Sequence, residues 1–357
     1  MDLDKRLELV KAPPTEEVIT ERELKVLLET NDHPEHYIGF EISGYLHLGT
    51  LLMCGFKVND LSEAGFKTKI YLADWHSFIN NKLGGNWDNI IRASRYYAEA
   101  FKFFCPKAEV VLGSNLYRDN GEYWRDVMRF SKHITLTRDK RCLTIMGRSE
   151  GEKLDLAQYF YPPMQAVDVR YLGKDMPQGG MDQRKVHVLA REVFPKLGWN
   201  KPIPLHNHLL MGLAEPPKAS KDTKMEKVIA TKMSKSKPWT AIFIHDTEEE
   251  IAQKLLKAWC PMKQAEFNPV LELARYVVFH ERKEFLLERS AKYGGPAIFS
   301  SYRDLEKEYV SGRIHPLDLK LSIAREISKI IDPIRRHFET PSLRRLLEVF
   351  KQSEITR

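Results

Sequence analysis

The chain has 357 residues, of which 43% are hydrophobic and 29% charged. That is enough apolar sequence for one large or two medium globular domains, and no apolar run approaches the ~18 residues of a membrane helix. Lys plus Arg number 56 against 49 Asp plus Glu, a net +7, which permits a nucleic-acid partner without requiring one.

The first eighteen residues mix acidic, basic and apolar side chains and lack the apolar centre of a signal peptide, so a cytoplasmic protein is expected. A strand is predicted over His36–Ile42, then a helix over Thr50–Ala64 with Gly65 at its end. Further strands are predicted over Lys69–Asp74 and Glu109–Ser114, separated by a helix over Asp88–Phe104 that Pro106 terminates. Strands spaced by helices imply a parallel sheet with right-handed crossovers. Another helix is expected over Asp182–Val193 and another strand over Ile203–Gly212. Glu215–Trp239 is lysine-rich with little apolar periodicity and reads as a mobile loop. From Asp246 onward the pattern is helical. In the last long helix Leu319, Ile323, Ile327 and Ile330 share one face, and Pro316 suits its first turn. Cys54, Cys105, Cys142 and Cys260 form no CxxC pair, so free thiols are expected, with neither a zinc site nor a disulfide framework.

Four stretches carry candidate chemistry. In "FEISGYLHLGT" (Phe40–Thr50) a strand passes through glycines and a histidine into a helix. Such a turn lets backbone approach a phosphate, and the helix start offers N–H groups; a plain strand–helix turn is the equally weighted bland reading. In "TKMSKS" (Thr231–Ser236) two lysines flank a serine and are able to close on a polyphosphate, although lysine runs are more often solvated surface. Tyr161, Gln165 and Asp168 fall on one helical face, which reads as a polar pocket wall. "GGMDQRK" (Gly179–Lys185) places an acid where a nucleotide-binding sheet holds ribose.

Together these stretches resemble the paired signatures of class I aminoacyl-tRNA synthetases. "YIGFEISGYLHLG", "LADWHSF", "YPPMQAVDVRYL", "GGMDQRK", "KMSKS" and "GRIHPLDLK", in this order, resemble the tyrosyl-tRNA synthetases of the archaeal and eukaryotic branch, over Tyr37 to about Phe338. The resemblance implies an α/β fold. A Rossmann-like, parallel-sheet catalytic domain (residues 1–240) would carry a helical insertion at roughly 115–160 and the KMSKS loop at 231–236. A mostly α-helical, anticodon-binding domain (241–357) would follow. It implies that Tyr37 and Asp168 bond the tyrosine phenol, and that Tyr161, Gln165 and Gln183 hold its ammonium and carboxylate end. Gly39, Gly44, His47, Gly49 and Thr50 would line ATP, with Gly180 and Asp182 on the ribose. Lys232, Ser234 and Lys235 would meet the leaving pyrophosphate, His47 sharing that catalytic role. Arg184 and Lys185 would read the tRNA acceptor stem, and His315 and Asp318 the anticodon. ATP with Mg²⁺, tyrosine and tRNA-Tyr are the implied partners, with a homodimer, no dedicated protein metal site and no membrane. Two departures stand out: Thr50 replaces the final histidine of the usual "HIGH" signature, and Glu215–Thr231 is a long insert.

Three alternatives stay open on the residues. They are a tryptophanyl-tRNA synthetase of the same subclass, a non-catalytic tRNA-binding relative, and another nucleotidyltransferase of the superfamily. The Tyr37–Asp168 pair weighs against the first, the complete nucleotide signatures against the second, and "HPLDLK" against the third.

Overall fold

Six strands between Thr15 and Asn207 build one mixed sheet. The computed structural model describes residues 1–147, 153–217 and 223–351. Contacts divide the chain into two units: Met1–Gly44, Cys54–His208 and Arg345–Arg357 form the first, and Tyr45–Met53 with Leu209–Arg344 the second.

In the first unit α1 (Leu3–Lys11), β1 (Thr15–Val18) and α2 (Glu21–Thr30) precede the expected α/β alternation. Thr20 and Glu23 close a reciprocal capping box at the start of α2, which satisfies two backbone donors that a helix end leaves open. Then come β2 (Glu35–Phe40), α3 (Leu48–Glu63), β3 (Lys67–Leu72), α4 (Asp74–Ile79), α5 (Trp87–Phe104) and β4 (Glu109–Leu112). The predicted elements therefore stand within a few residues of their expected ends. The region expected as a helical insertion carries α6 (Gly113–Tyr117), α7 (Gly121–Ser131) and α8 (Leu136–Cys142); its residues 148–152 lie outside the described residues. After it follow α9 (Tyr161–Leu172), β5 (Met176–Gly180), α10 (Arg184–Val193) and β6 (Leu205–Asn207).

The sheet order is β1-β6-β5-β2-β3-β4. Every pairing is parallel except β1 on β6, which is antiparallel at the edge. Two strands were not foreseen. β5 reads "MPQGG", with poor strand formers, yet it is buried between β2 and β6, and tertiary context overrides propensity there. β1 is short and charged, as an edge strand tolerates. Conversely, the strand expected over Ile203–Gly212 shrinks to three residues, Leu205–Asn207. Buried His36 on β2 bonds Gln178 of β5 through Nε2 at 2.9 Å, and burial lowers its titration to about 3.

The second unit corrects one expectation. The stretch expected as a mobile loop contains α11 (Lys224–Thr231), opened by a second capping box between Thr223 and Glu226; residues 218–222 of that stretch lie outside the described residues. The cap, not apolar periodicity, starts this helix. α12 (Glu248–Lys257) follows, with Thr247 and Glu250 as its box. α13 (Pro269–Leu273) runs through a π-helical turn into α14 (Phe279–Glu281). An antiparallel hairpin, β7 (Phe285–Leu287) with β8 (Ala297–Phe299), stands within the stretch expected to be mostly helical. α15 (Tyr302–Val310) and α16 (Pro316–His337) complete the unit. Pro316 occupies the first turn of α16, and Leu319, Ile323, Ile327 and Ile330 are all buried, as their spacing predicts. Residues 352–357 lie outside the described residues. No described helix is long and apolar enough to cross a membrane.

Candidate active site

A parallel sheet leaves a crevice at the carboxyl ends of its strands where the strand order reverses. Here that point lies between β2 and β5, because β3 and β4 extend one way and β6 and β1 the other. The end of β2 carries Gly39 and Glu41, and the end of β5 carries Gly180 and the turn to Asp182 and Gln183.

Helix α9 runs beside this point. Pro162 and Pro163 fit its first turn, where a missing N–H costs nothing. Its face with Tyr161, Gln165 and Asp168 is turned inward: Tyr161 is 6% exposed and Asp168 1%. The Tyr117 hydroxyl donates to both Asp168 oxygens, at 3.0 and 3.1 Å, and the Tyr123 hydroxyl donates at 2.9 Å. Tyr117 also shares a hydrogen bond with Tyr71, and His76 Nε2 stands 3.6 Å from Asp168 Oδ2. Tyr37 lies edge-on to Tyr71 at 6.5 Å between ring centroids. The surround is apolar and includes Ile79, Met164, Val167 and Leu172.

Burial dominates the electrostatics here. It pushes the Asp168 carboxyl up to about 8, against the pull of the Tyr123 and Tyr117 hydroxyls. It lowers His76 to about 3, so that ring is neutral near pH 7. The Tyr37 hydroxyl is pushed well up, by burial first and by Asp168 second. A cluster of hydroxyls round one carboxylate suits a further phenol, whose O–H finds an acceptor there. A bare phenyl ring would leave that acceptor unmatched.

At the polar end, Gln165 Nε2 donates to Gln183 Oε1 at 3.0 Å, and Gln183 Nε2 donates to the Ile145 carbonyl at 3.1 Å. The Tyr161 hydroxyl donates to Glu41 at 3.0 Å. Arg184 and Lys185 open α10: Arg184 pairs with Glu17 at 2.8 Å and Lys185 bonds Thr144 Oγ1 at 3.0 Å.

The second unit holds both signature segments and joins them. Leu48 N donates to Ile242 O at 3.0 Å, Ile244 N donates to Leu46 O at 3.1 Å, and His47 bridges to Phe243. His47 thus sits against the strand-like segment that follows KMSKS. Its ring is 3.2 Å from Thr50 Oγ1 and folds over Gly49, where a Cβ would meet the imidazole at 3.2 Å. A side chain at 49 would press the imidazole aside by a few tenths of an ångström. Thr50, standing where a second histidine is usual, is therefore the hydroxyl that holds the first. Burial, then Lys235 and Lys232, keep His47 well below the usual imidazole range, so it is neutral and able to donate one N–H. Met233 N donates to Leu210 O at 2.7 Å, which anchors the middle of KMSKS, and the Ser234 and Ser236 hydroxyls bond at 3.0 Å. His315 and Asp318 open α16, where His315 Nδ1 accepts from Leu317 N at 3.2 Å as the helix cap.

The family model for class I tRNA synthetases (W and Y) matches residues 29–332. The tyrosine–tRNA ligase of Thermococcus kodakarensis is 46% identical over the whole of both chains. The chain belongs to the archaeal-type tyrosyl-tRNA synthetases. A crystal structure of the Pyrococcus horikoshii tyrosyl-tRNA synthetase complexed with L-tyrosine superposes with a TM-score of 0.92 at 43% identity, covering 99% of this chain and 100% of that one. A tryptophanyl-tRNA synthetase from Aeropyrum pernix gives a TM-score of 0.68 at 17% identity, over 92% of this chain and 84% of that one, and shares the fold alone.

The five expected pocket residues, Tyr37, Tyr161, Gln165, Asp168 and Gln183, fall in one unit. Gly39, Gly44, Gly180, Asp182, Arg184 and Lys185 belong to the same unit, whereas His47, Gly49, Thr50, Lys232, Ser234, Lys235, His315 and Asp318 belong to the other. Sequence reading missed His76, Tyr117, Tyr123 and Glu41. His76 and Glu41 lie inside quoted signatures. Tyr117 and Tyr123 fall in the helical insertion, where nothing in the sequence marks them.

Proposed function

We propose how the residues of this tyrosine–tRNA ligase carry its two steps. The carboxylate of L-tyrosine attacks the α-phosphorus of ATP. The bond to the β-phosphate oxygen breaks, pyrophosphate leaves with the electron pair, and tyrosyl-adenylate remains. Next, the 2′-hydroxyl of the terminal adenosine of tRNA-Tyr attacks the tyrosyl carbonyl, and AMP leaves. No side-chain nucleophile is required, so the work is positioning and electrostatic stabilisation.

In this reading Tyr37 and Asp168 take the phenol, with Tyr117 and Tyr123 fixing the carboxylate. Tyr161, Gln165 and Gln183 take the amino-acid end, and Gly180 and Asp182 the ribose. Gly39, Gly44, Gly49 and Thr50 line the nucleotide, and His47 donates to its phosphates. Lys232, Ser234 and Lys235 neutralise charge on the departing pyrophosphate. Among the described residues no group of three or more His, Cys, Asp or Glu is placed to hold a metal ion. Mg²⁺ would come with ATP as its counter-ion and lower the charge of the polyphosphate when bound. Residues 1–240 act as the catalytic domain and 241–357 as the anticodon-binding domain, with Arg184 and Lys185 on the acceptor stem and His315 and Asp318 on the anticodon. The enzyme works in the cytoplasm as a homodimer.

The observation that supports this most is the buried Asp168 carboxylate ringed by tyrosine hydroxyls, in a chain 46% identical to a tyrosine–tRNA ligase along its whole length. The test is amino-acid-dependent ATP–pyrophosphate exchange without tRNA. Exchange with tyrosine, and not with tryptophan or phenylalanine, is expected. Exchange driven by tryptophan would overturn the assignment of the pocket.

A further inference from the structure

Hydrogen-bond chains have a direction, and two of them converge on the polar end of the tyrosine pocket. In the first, the Ile145 carbonyl only accepts, so Gln183 must present its amide N–H there, at 3.1 Å. Its oxygen is then left to accept from Gln165 Nε2 at 3.0 Å. Gln165 is thereby fixed with its oxygen outward, and that buried oxygen has no hydrogen-bond partner among the described residues.

The second chain starts at Glu41, just past β2. One carboxylate oxygen accepts from the Asn80 amide at 2.7 Å and from the Tyr161 hydroxyl at 3.0 Å; the other stands 3.4 Å from the Lys82 ammonium. Asn80 is fully buried and its Nδ2 also donates to the Met146 carbonyl at 3.0 Å, so its orientation is set. Lys82 is 4% exposed. A carboxylate only accepts, so the Tyr161 O–H must point at it, and the lone pairs of that hydroxyl face the other way. Burial, and Glu41 after it, keep the Tyr161 hydroxyl protonated well above its usual range. Both chains therefore end on acceptors, Tyr161 Oη and Gln165 Oε1.

We propose that Glu41, anchored by Asn80 and Lys82, is a positioning residue that sets the hydrogen-bond polarity of the amino subsite, so that a substrate ammonium meets acceptors only. This rests on the reading that Tyr161 and Gln165 take the amino end of tyrosine. Leucine at 41 is of similar size and accepts no hydrogen bond, whereas glutamine would keep an oxygen where Asn80 and Tyr161 both donate. With leucine there, the Tyr161 proton turns toward the ammonium and opposes it.

The experiment compares binding of L-tyrosine with that of 3-(4-hydroxyphenyl)propionate, which lacks the amino group, by calorimetry without ATP. The ratio of the two Kd values reports the amino subsite alone. In E41L the preference for tyrosine should fall by about tenfold or more, the scale of one hydrogen bond to a charged group. Binding of the propionate should stay within about twofold, which a merely structural defect would not spare. E41L removes the carboxylate beside buried Lys82, so E41L/K82M is measured beside it with the same expectation. A wild-type ratio in both variants overturns the proposal. Y161F separates the two levels. A ratio lost in Y161F but kept in E41L removes only the role of Glu41. A ratio kept in Y161F as well removes the underlying reading of the amino subsite, and the proposal with it.

Discussion

Replacing Asp168 by alanine perturbs the phenol end most cleanly. The carboxylate accepts from Tyr117 at 3.0 and 3.1 Å and from Tyr123 at 2.9 Å, and the residue is 1% exposed. Asp168→Ala removes the acceptor for a substrate phenol and takes one partner from each of two buried hydroxyls, which keep Tyr71 and the Met164 carbonyl. Above about pH 8, where Asp168 is ionised, a hydrogen bond to it contributes about 1.5–3 kcal/mol. That contribution acts on tyrosine and not on phenylalanine. At such a pH the ratio of kcat/KM for tyrosine over phenylalanine should therefore fall by roughly 10- to 150-fold. The loosened hydroxyls weaken both amino acids alike and so cancel from the ratio. The assay is ATP–pyrophosphate exchange with each amino acid at saturating ATP, followed by KM for ATP at saturating tyrosine, expected within about twofold of wild type. A variant that keeps the wild-type ratio, or loses ATP affinity while keeping it, would refute the placement of the phenol on Asp168.

Four further outcomes are expected. Lys235→Ala should slow pyrophosphate exchange by about 10²–10³-fold, the scale of one lost transition-state donor, with the tyrosine Kd unchanged; an undiminished rate removes Lys235 from the leaving-group site. Asp318→Ala should weaken tRNA charging and spare exchange, since it stands in the first turn of α16, in the proposed anticodon-binding domain, and a defect in both steps counts against its anticodon role. Gly173→Ala would bring a Cβ to 2.5 Å from Tyr37 N and 2.7 Å from the His36 carbonyl carbon. Backbone cannot swing away as a side chain does, so we expect about 1–3 kcal/mol of lost stability and a raised KM for tyrosine through displaced Tyr37, read by denaturant melts and exchange kinetics. Finally, the folded protein holds the Asp168 proton up to about pH 8, whereas the unfolded chain releases it near the ordinary value of 3.8. The site then costs nothing below that value and costs progressively more stability up to about pH 8, above which the cost is constant. The Tm difference between Asp168→Asn and wild type should shift in favour of the variant from pH 5 to 8 and level off beyond; a pH-independent difference contradicts the raised carboxyl.

What the sequence made legible follows from what is local. The β2, β3 and β4 runs and α5 announce themselves by apolar pattern and terminators, and α16 by its one-sided isoleucines. The inward face of α9 was visible because Tyr161, Gln165 and Asp168 repeat at helical spacing. What was hidden depends on partners distant in the chain. β5 is a strand because β2 and β6 flank it, not because "MPQGG" favours one. Tyr117 and Tyr123 reach Asp168 from 51 and 45 residues away, so no local pattern reveals them. The link between His47 and the segment after KMSKS is likewise a long-range pairing, through Phe243. α11 is the instructive miss. Its T-x-x-E cap is written in the sequence, but the lysines around it drew attention to charge instead.

The most direct measurement is charging of a tRNA-Tyr transcript by the purified protein with labelled tyrosine, and separately with labelled tryptophan and phenylalanine, each in the presence of ATP and Mg²⁺. Tyrosyl-tRNA formed from tyrosine alone, and lost in Asp168→Ala with phenylalanine gaining ground, is the expected result. Tryptophanyl-tRNA in its place, or no charging by a protein that still supports tyrosine-dependent exchange, would contradict the assigned pocket in the first case and the assigned tRNA contacts in the second.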